Sequence, residues 1–226
     1  MEKIKENIWR GLASRRLKLI KPFGLDSCND LLQLTLCDTN PDVVAAWARA
    51  FADVAPVEIV AGSLLDARGD ALVSPANSFG DMGGGVDKAI DDFFGGEAQR
   101  RLMAAIREQF LGELPVGMAL IVELPPRRFR FLIAAPTMRV PNRLGETLNA
   151  YLAMRAVLVA IFKHNGSGAN PISRVVVPGL ATGVGGLAPD EAAGQMRAAW
   201  DNVVGGGWER VVSPALAPYA WRPKRK

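Results

Sequence analysis

The chain has 226 residues, of which 49% are hydrophobic, and a formal net charge of +4. This is enough apolar material for one domain with its own core, with or without an extension, and it excludes a wholly disordered chain. No apolar run reaches the roughly 18 residues needed to cross a bilayer, and the N-terminus lacks an uninterrupted apolar h-region, so the expectation is a cytoplasmic protein with no membrane span.

The charge is unevenly placed. Residues 1–24 carry seven Lys/Arg and two Asp/Glu, and the tail "RPKRK" carries four basic residues, which leaves residues 25–221 mildly acidic. The chain therefore divides into a basic extension (1–24), a globular domain (25–221) and a basic tail (222–226). Basic ends can meet nucleic acid or an acidic membrane surface, or simply be solvated. Two cysteines, Cys28 and Cys37, make no disulfide scaffold and read as reduced thiols. With His164 as the only histidine, a zinc site of ordinary composition is not expected, and no metal or cofactor is implied.

In chain order, Ile4, Ile8 and Leu12 fall one helical turn apart and predict a short amphipathic helix, broken at "KPFG". "LLQLTLCD" (31–38) reads as a strand. A helix follows from Pro41, with Val44, Trp47, Ala48 and Phe51 on one face. "VEIVAG" and "DALVSPA" are further strands. Helices follow over 86–94, with Val86, Ile90, Phe93 and Phe94 as the buried stripe, and over 97–111, with Leu102, Ile106 and Phe110 aligned. Strands at 117–124 and 130–136, a helix over 146–163 with Leu148, Leu152, Val159 and Phe162 among its apolar positions, the strand "RVVVPG", a helix over 189–204 and a last strand "ERVVSPAL" complete the pattern. Short apolar strands alternating with helices predict an α/β domain around a largely buried mixed sheet.

Two stretches stand out as chemistry. "VSPANSFGDMGGGVDKAI" runs from an apolar strand through three consecutive glycines into a helix, and "VVVPGLATGVGGLAPDEAA" repeats the plan a hundred residues later. A strand, a glycine loop and a helix N-terminus can cradle phosphate, because backbone N–H groups approach the anion and the helix end adds favourable partial charge. Such loops also arise wherever a turn needs positive φ. The first is neither a P-loop, since Gly85 is followed by Val86 and Asp87, nor a dinucleotide fingerprint, since Lys88 stands at the third glycine position. Two such loops at strand ends can converge on one crevice and hold a diphosphate from both sides.

Together, in their order along the chain, these stretches resemble the signatures of macrodomains, the ADP-ribose-binding module of the Appr-1-p processing type. The first resembles the family's Asn-Ala-Ala-Asn segment with its glycine run, Val and Asp. The second resembles its Pro-Ala-x-Ser-Thr-Gly loop, and "VEIVAGSLLDARGDALVSPAN" its Gly-Asp-Ile stretch and following strand. The resemblance spans about Leu31 to Leu216 and implies a three-layer α/β/α sandwich with a central mixed sheet. It further implies that Asn77 contacts the distal ribose, that Gly83, Gly84, Gly85 and Val86 surround that ribose and the diphosphate, and that Ala181, Thr182, Gly183 and Val184 bind the diphosphate. Asp87 matches an Asp implicated in hydrolysis in one branch of the family. Asp87 and Asn77 are thus the candidate catalytic pair.

The departures concern ligand contacts. Ser74 replaces the first Asn. Ser63, followed by Leu64, stands where many members carry the Asp that bonds the adenine amine. Gly185 stands where an aromatic often covers the distal ribose, a cover that Phe79 is expected to supply instead. Asp91 lies four residues beyond Asp87 on the same helix face. It reads as a second carboxylate for the site or as an acid favouring the helix dipole. The Gln-Glu-Glu of poly(ADP-ribose) glycohydrolases is absent. The expected functions are binding of ADP-ribose or an ADP-ribosylated protein or nucleic acid, hydrolysis of mono-ADP-ribose from an acceptor, or dephosphorylation of ADP-ribose 1-phosphate. Arg139 near a strand end, and Tyr219 and Trp221 beyond the last strand, are further contacts to test; Trp47 and Trp200 read as core.

Overall fold

The computed structural model describes residues 32–55, 57–168, 170–211 and 213. The predicted N-terminal helix, Cys28, Tyr219, Trp221 and the basic tail lie outside these residues.

Six strands, β1 (Gln33–Asp38), β2 (Val57–Ala61), β3 (Ala71–Ser74), β4 (Leu120–Glu123), β5 (Phe131–Ala134) and β6 (Arg174–Val177), form one sheet in the order β2-β1-β6-β3-β5-β4. All neighbours are parallel except the hairpin partners β4 and β5. The helices are α1 (Pro41–Ala50), α2 (Gly85–Phe93), α3 (Glu97–Phe110), α4 (Asn149–Gly166) and α5 (Pro189–Val203).

The period-2 alternation of side chains divides the core between the two faces of the sheet. Leu34, Leu36, Ala71, Val73, Ile133, Val175 and Val177 pack with α1, α4 and α5 on one side. Cys37, Leu72, Leu132, Ala134 and Val176 pack with α2 and α3 on the other. Over the central strands β3, β5 and β6 both faces are covered, as a parallel sheet requires, and this is why these strands read as near-continuous apolar runs. The result is the expected three-layer α/β/α sandwich with a mixed sheet.

Local chemistry sets the helix ends. Asn40 caps α1 by accepting from the Asp42 N–H, with Pro41 in the first turn. The buried face of α1 is Val43, Ala46 and Trp47, rotated from the expected Val44–Trp47–Ala48 stripe, because α5 lies against it and Trp47 Nε1 reaches Met196 Sδ. Helix α4 is buried along Ala150, Ala153, Met154, Val157, Leu158 and Ile161; of the four positions expected there, only Phe162 is buried. A helix packed on two sides does not show one clean stripe. His164 sits in its last turn. The expected last strand is corrected at its start: Glu209 and Arg210 close a 3₁₀ turn (Gly207–Arg210), and Val211 pairs with no strand among the described residues, outside which most of the remainder lies.

Candidate functional site

The carboxyl ends of β1, β2, β3, β5 and β6 share one edge of the sheet, and the loops that follow them build the site there. β3 and β6 are neighbours, so the two glycine loops are brought together although about a hundred residues separate them. Pro75–Asp87 on one side, Thr137–Pro141 above, and Gly179–Gly185 on the other enclose a cavity of about 170 Å³. A second cavity of about 370 Å³ adjoins it across Gly85 and Val86, and is lined by Asp38, Ser63, Leu64 and Pro178 among others.

Asp87 lies in the first turn of α2 and lines the first cavity. Its Oδ1 accepts a 2.6 Å hydrogen bond from the Ser74 hydroxyl. Burial pushes its carboxyl up to about 6; the Ser74 bond opposes the shift and the nearby Asp81 charge adds to it. Ser74 is fully buried behind Asp87 and is not part of the lining. Its hydroxyl meets the carboxylate, where a ligand contact was expected.

Asn77 lines the same cavity, and its side chain also shapes the loop. Its Oδ1 accepts from the N–H of Phe79 and Asp81, and its Nδ2 donates to the Asp81 carbonyl. Asp81 in turn receives the Gly83 N–H, and Gln99 of α3 receives the Met82 N–H. Asp91 faces away from this chemistry: its carboxylate accepts from the Gln99 N–H and so caps α3 from outside. Phe79 is exposed and lies under the Arg139 guanidinium, which itself holds Glu113. Neither Phe79 nor Arg139 lines the cavity; Met138, Pro141 and Val184 supply apolar cover instead.

The helix end is uncapped: Gly84 offers no side-chain acceptor. Among the described residues the N–H groups of Gly84, Gly85, Val86 and Asp87 have no hydrogen-bond partner, and neither do those of Thr182, Gly183, Val184 and Gly185. All but Thr182 line the first cavity. Such orphan donors are where an anion is held. Thr182 instead turns its hydroxyl to the Gly179 carbonyl.

Gly185 is buried. A Cβ there would sit 2.5 Å from the Ala181 carbonyl oxygen and 2.8 Å from Leu144 Cδ1. The 139–146 segment thus occupies space beside the glycine, and the Leu144 N–H donates to the Gly185 carbonyl.

Asp38 is a residue the sequence reading missed. It ends β1, accepts from the Asn40 N–H, and with its other oxygen accepts from the Gly179 N–H, tying the second glycine loop to the sheet. The signal was an acid at a strand end before a helix cap. Ser63 spends its acceptor on the Leu65 N–H as a 3₁₀ cap. Cys37 is a buried free thiol donating to the Gly62 carbonyl, its pKa raised chiefly by burial. Among the described residues no group of three or more His, Cys, Asp or Glu is placed to hold a metal, and no helix is long and apolar enough to cross a membrane.

A family model for the Macro domain matches residues 73–196, from the end of β3 through both loops into α5. An uncharacterised protein of Aeropyrum pernix is 33% identical over 166 residues, covering 73% of this chain and 81% of its own. One of Aquifex aeolicus is 33% identical over 140 residues, covering 62% and 78%. Among solved structures, the macrodomain of Mycobacterium tuberculosis DarG superposes with a TM-score of 0.52 at 23% identity, covering 62% of this chain and 87% of that one. A point mutant of the Oceanobacillus iheyensis macrodomain with ADPR gives 0.53 at 22%, covering 63% and 75%. The folds agree, the family model spans both glycine loops, and the chain belongs to the Macro domain family.

Proposed function

We propose that the crevice binds ADP-ribose, free or attached to a modified protein or nucleic acid. One observation carries this reading: two rows of unpartnered backbone N–H groups, one from the start of α2 and one from the loop after β6, converge on a single cavity. Opposed donor rows suit a diphosphate, which can accept from both sides at once. The distal ribose lies beside Asn77 and Asp87 in this reading, and the adenosine extends past Val86 toward Ser63 and Leu64. A structural relative solved with ADPR supports it. Calorimetry with ADP-ribose, ADP and AMP tests it: ADP-ribose and ADP bind and AMP binds far more weakly. Absence of binding by every adenine nucleotide would overturn the assignment.

A second reading, hydrolysis of mono-ADP-ribose, is favoured by Asp87, a half-buried carboxyl poised near 6 in the same cavity. Ionised Asp87 takes a proton from a water. That water's oxygen forms a bond to the anomeric carbon, and the bond from that carbon to the acceptor breaks, with the electron pair and a proton leaving on the acceptor. Ser74 holds Asp87 in place through its hydrogen bond. The rate therefore rises with pH through about 6 as Asp87 ionises. Release of ADP-ribose from mono-ADP-ribosylated protein, and separately from ADP-ribosylated DNA, tests this reading. Binding without release from either leaves a reader module, and full turnover by Asp87→Ala would remove Asp87 as the base.

A further inference from the structure

The opposite edge of the sheet, at the amino ends of the parallel strands, holds a cavity of about 510 Å³ lined by Gln33, Arg68, Gly69, Asp70, Arg128, Ser173 and Arg174. The residues come from the starts of β1, β3, β5 and β6, so the topology gathers them as it gathers the crevice loops at the other edge.

One carboxylate, that of Asp70, lines this cavity together with three arginines. That carboxylate is already engaged, since Asp70 Oδ2 accepts from the Ser173 N–H, the Ser173 hydroxyl and the Arg174 N–H. None of the three arginines has an ion-pair partner among the described residues, whereas Arg49, Arg100, Arg101, Arg130, Arg139 and Arg197 all do. Arg128 donates to the Leu65 carbonyl and Arg174 to the Gln33 amide oxygen, both neutral acceptors that hold the side chains without cancelling their charge. Arg68 makes no hydrogen bond among the described residues, and the N–H of Gly69 is likewise without a partner there. A Cβ at Gly69 would lie 2.8 Å from Val176 Cγ2, so the floor of the pocket is backbone pressed against the sheet.

We propose that this pocket is a second anion site, separate from the crevice, which takes phosphates of a nucleic-acid backbone. Charge points to the occupant. Uncompensated arginines in a concave site suit phosphodiesters, and the seven Lys/Arg of residues 1–24 precede the strand whose first residue, Gln33, lines the pocket. The proposal does not depend on what the crevice binds.

Fluorescence anisotropy of a labelled single strand of about 20 nucleotides, between about 50 and 200 mM salt, tests the proposal on the full chain. Wild-type protein binds with a steep salt dependence. The R68Q/R128Q/R174Q variant binds about tenfold or more weakly, with the log–log salt slope shallower by about 2, the value expected for three lost phosphate contacts on a single strand. The R68Q variant alone loses about 0.7 of slope, and because Arg68 holds no hydrogen bond among the described residues it remains decisive if the triple variant unfolds. Far-UV circular dichroism and thermal unfolding check the fold of both. Wild-type affinity and slope in the variants would assign nucleic-acid binding to the basic ends and overturn the proposal. So would pyrophosphate or acidic vesicles depending on the arginines while the strand does not.

Discussion

The two glycine loops look alike in sequence, and each is tied by side-chain hydrogen bonds, but their glycines serve different ends. The loop after β3 is shaped by side chains: Asn77 ties down Phe79 and Asp81, Asp81 holds Gly83, and Gln99 holds Met82. Its glycines at 84 and 85 face open space, for a Cβ at either would meet nothing within 4 Å. Gly85 needs its residue type for its backbone, at φ +56°, and Gly84 for leaving the helix end bare. In the loop after β6 the glycines at 179 and 185 serve close packing. Gly179 sits against Asp38 and Thr182, and Gly185 against the Ala181 carbonyl and Leu144. A glycine can thus keep a surface clear for a ligand or let protein pack against protein, and only the fold tells which.

Substitutions should separate these two uses. Gly185→Ala has the largest effect on folding, because the methyl group meets backbone that cannot yield. About 2–3 kcal/mol of stability should go, read as a lowered midpoint in urea unfolding. An unchanged midpoint would place the loop elsewhere.

Asp87→Asn comes next and has the opposite sign. Folding raises this carboxyl from 3.8 to about 6. Between those values the folded state binds more protons than the unfolded one, so the group's contribution is fully favourable below 3.8 and is lost as pH rises through about 6. The full shift corresponds to roughly 3 kcal/mol, discounted to about 1–2 because part of the carboxylate meets water. The Asn variant should be the more stable protein near neutrality, with the difference closing as pH falls toward 3.8. Parallel stability curves across that range would contradict the burial of Asp87.

Asp91→Ala should cost about 1 kcal/mol through the lost cap on α3, leaving ADP-ribose binding unchanged. A selective loss of binding would return Asp91 to the site. Gly84→Ala should have the smallest effect on stability, within about 0.5 kcal/mol, since the methyl group enters empty space. That space is the cavity, so ADP-ribose affinity should still fall about tenfold by calorimetry, or about 1.4 kcal/mol.

Much of this was legible in the sequence for a physical reason. Strands buried on both faces are unbroken apolar runs, and the glycine loops sit directly after two of them, so the fold and the general position of the crevice follow from local pattern. The Asp87–Ser74 bond was not legible, because it joins the end of β3 to a helix thirteen residues on and no spacing rule encodes it. Nor was the role of Asp38, which acts on a loop 141 residues away. The cover at Gly185 was sought in an aromatic, Phe79, whereas the 139–146 segment lies beside that glycine and Phe79 stacks outside with Arg139. The face of α4 was misjudged because one-sided amphipathicity fails for a helix buried on two sides.

The central claim is that bare backbone N–H groups from both loops grip one diphosphate. Amide chemical shifts of the ¹⁵N-labelled protein, followed as ADP-ribose is added, test it most directly. The account predicts saturable shifts that are largest at Gly84, Gly85, Val86 and Asp87 and at Gly183, Val184 and Gly185, with adenosine moving neither row. Shifts confined to one loop, or shifts of equal size with adenosine, would contradict it.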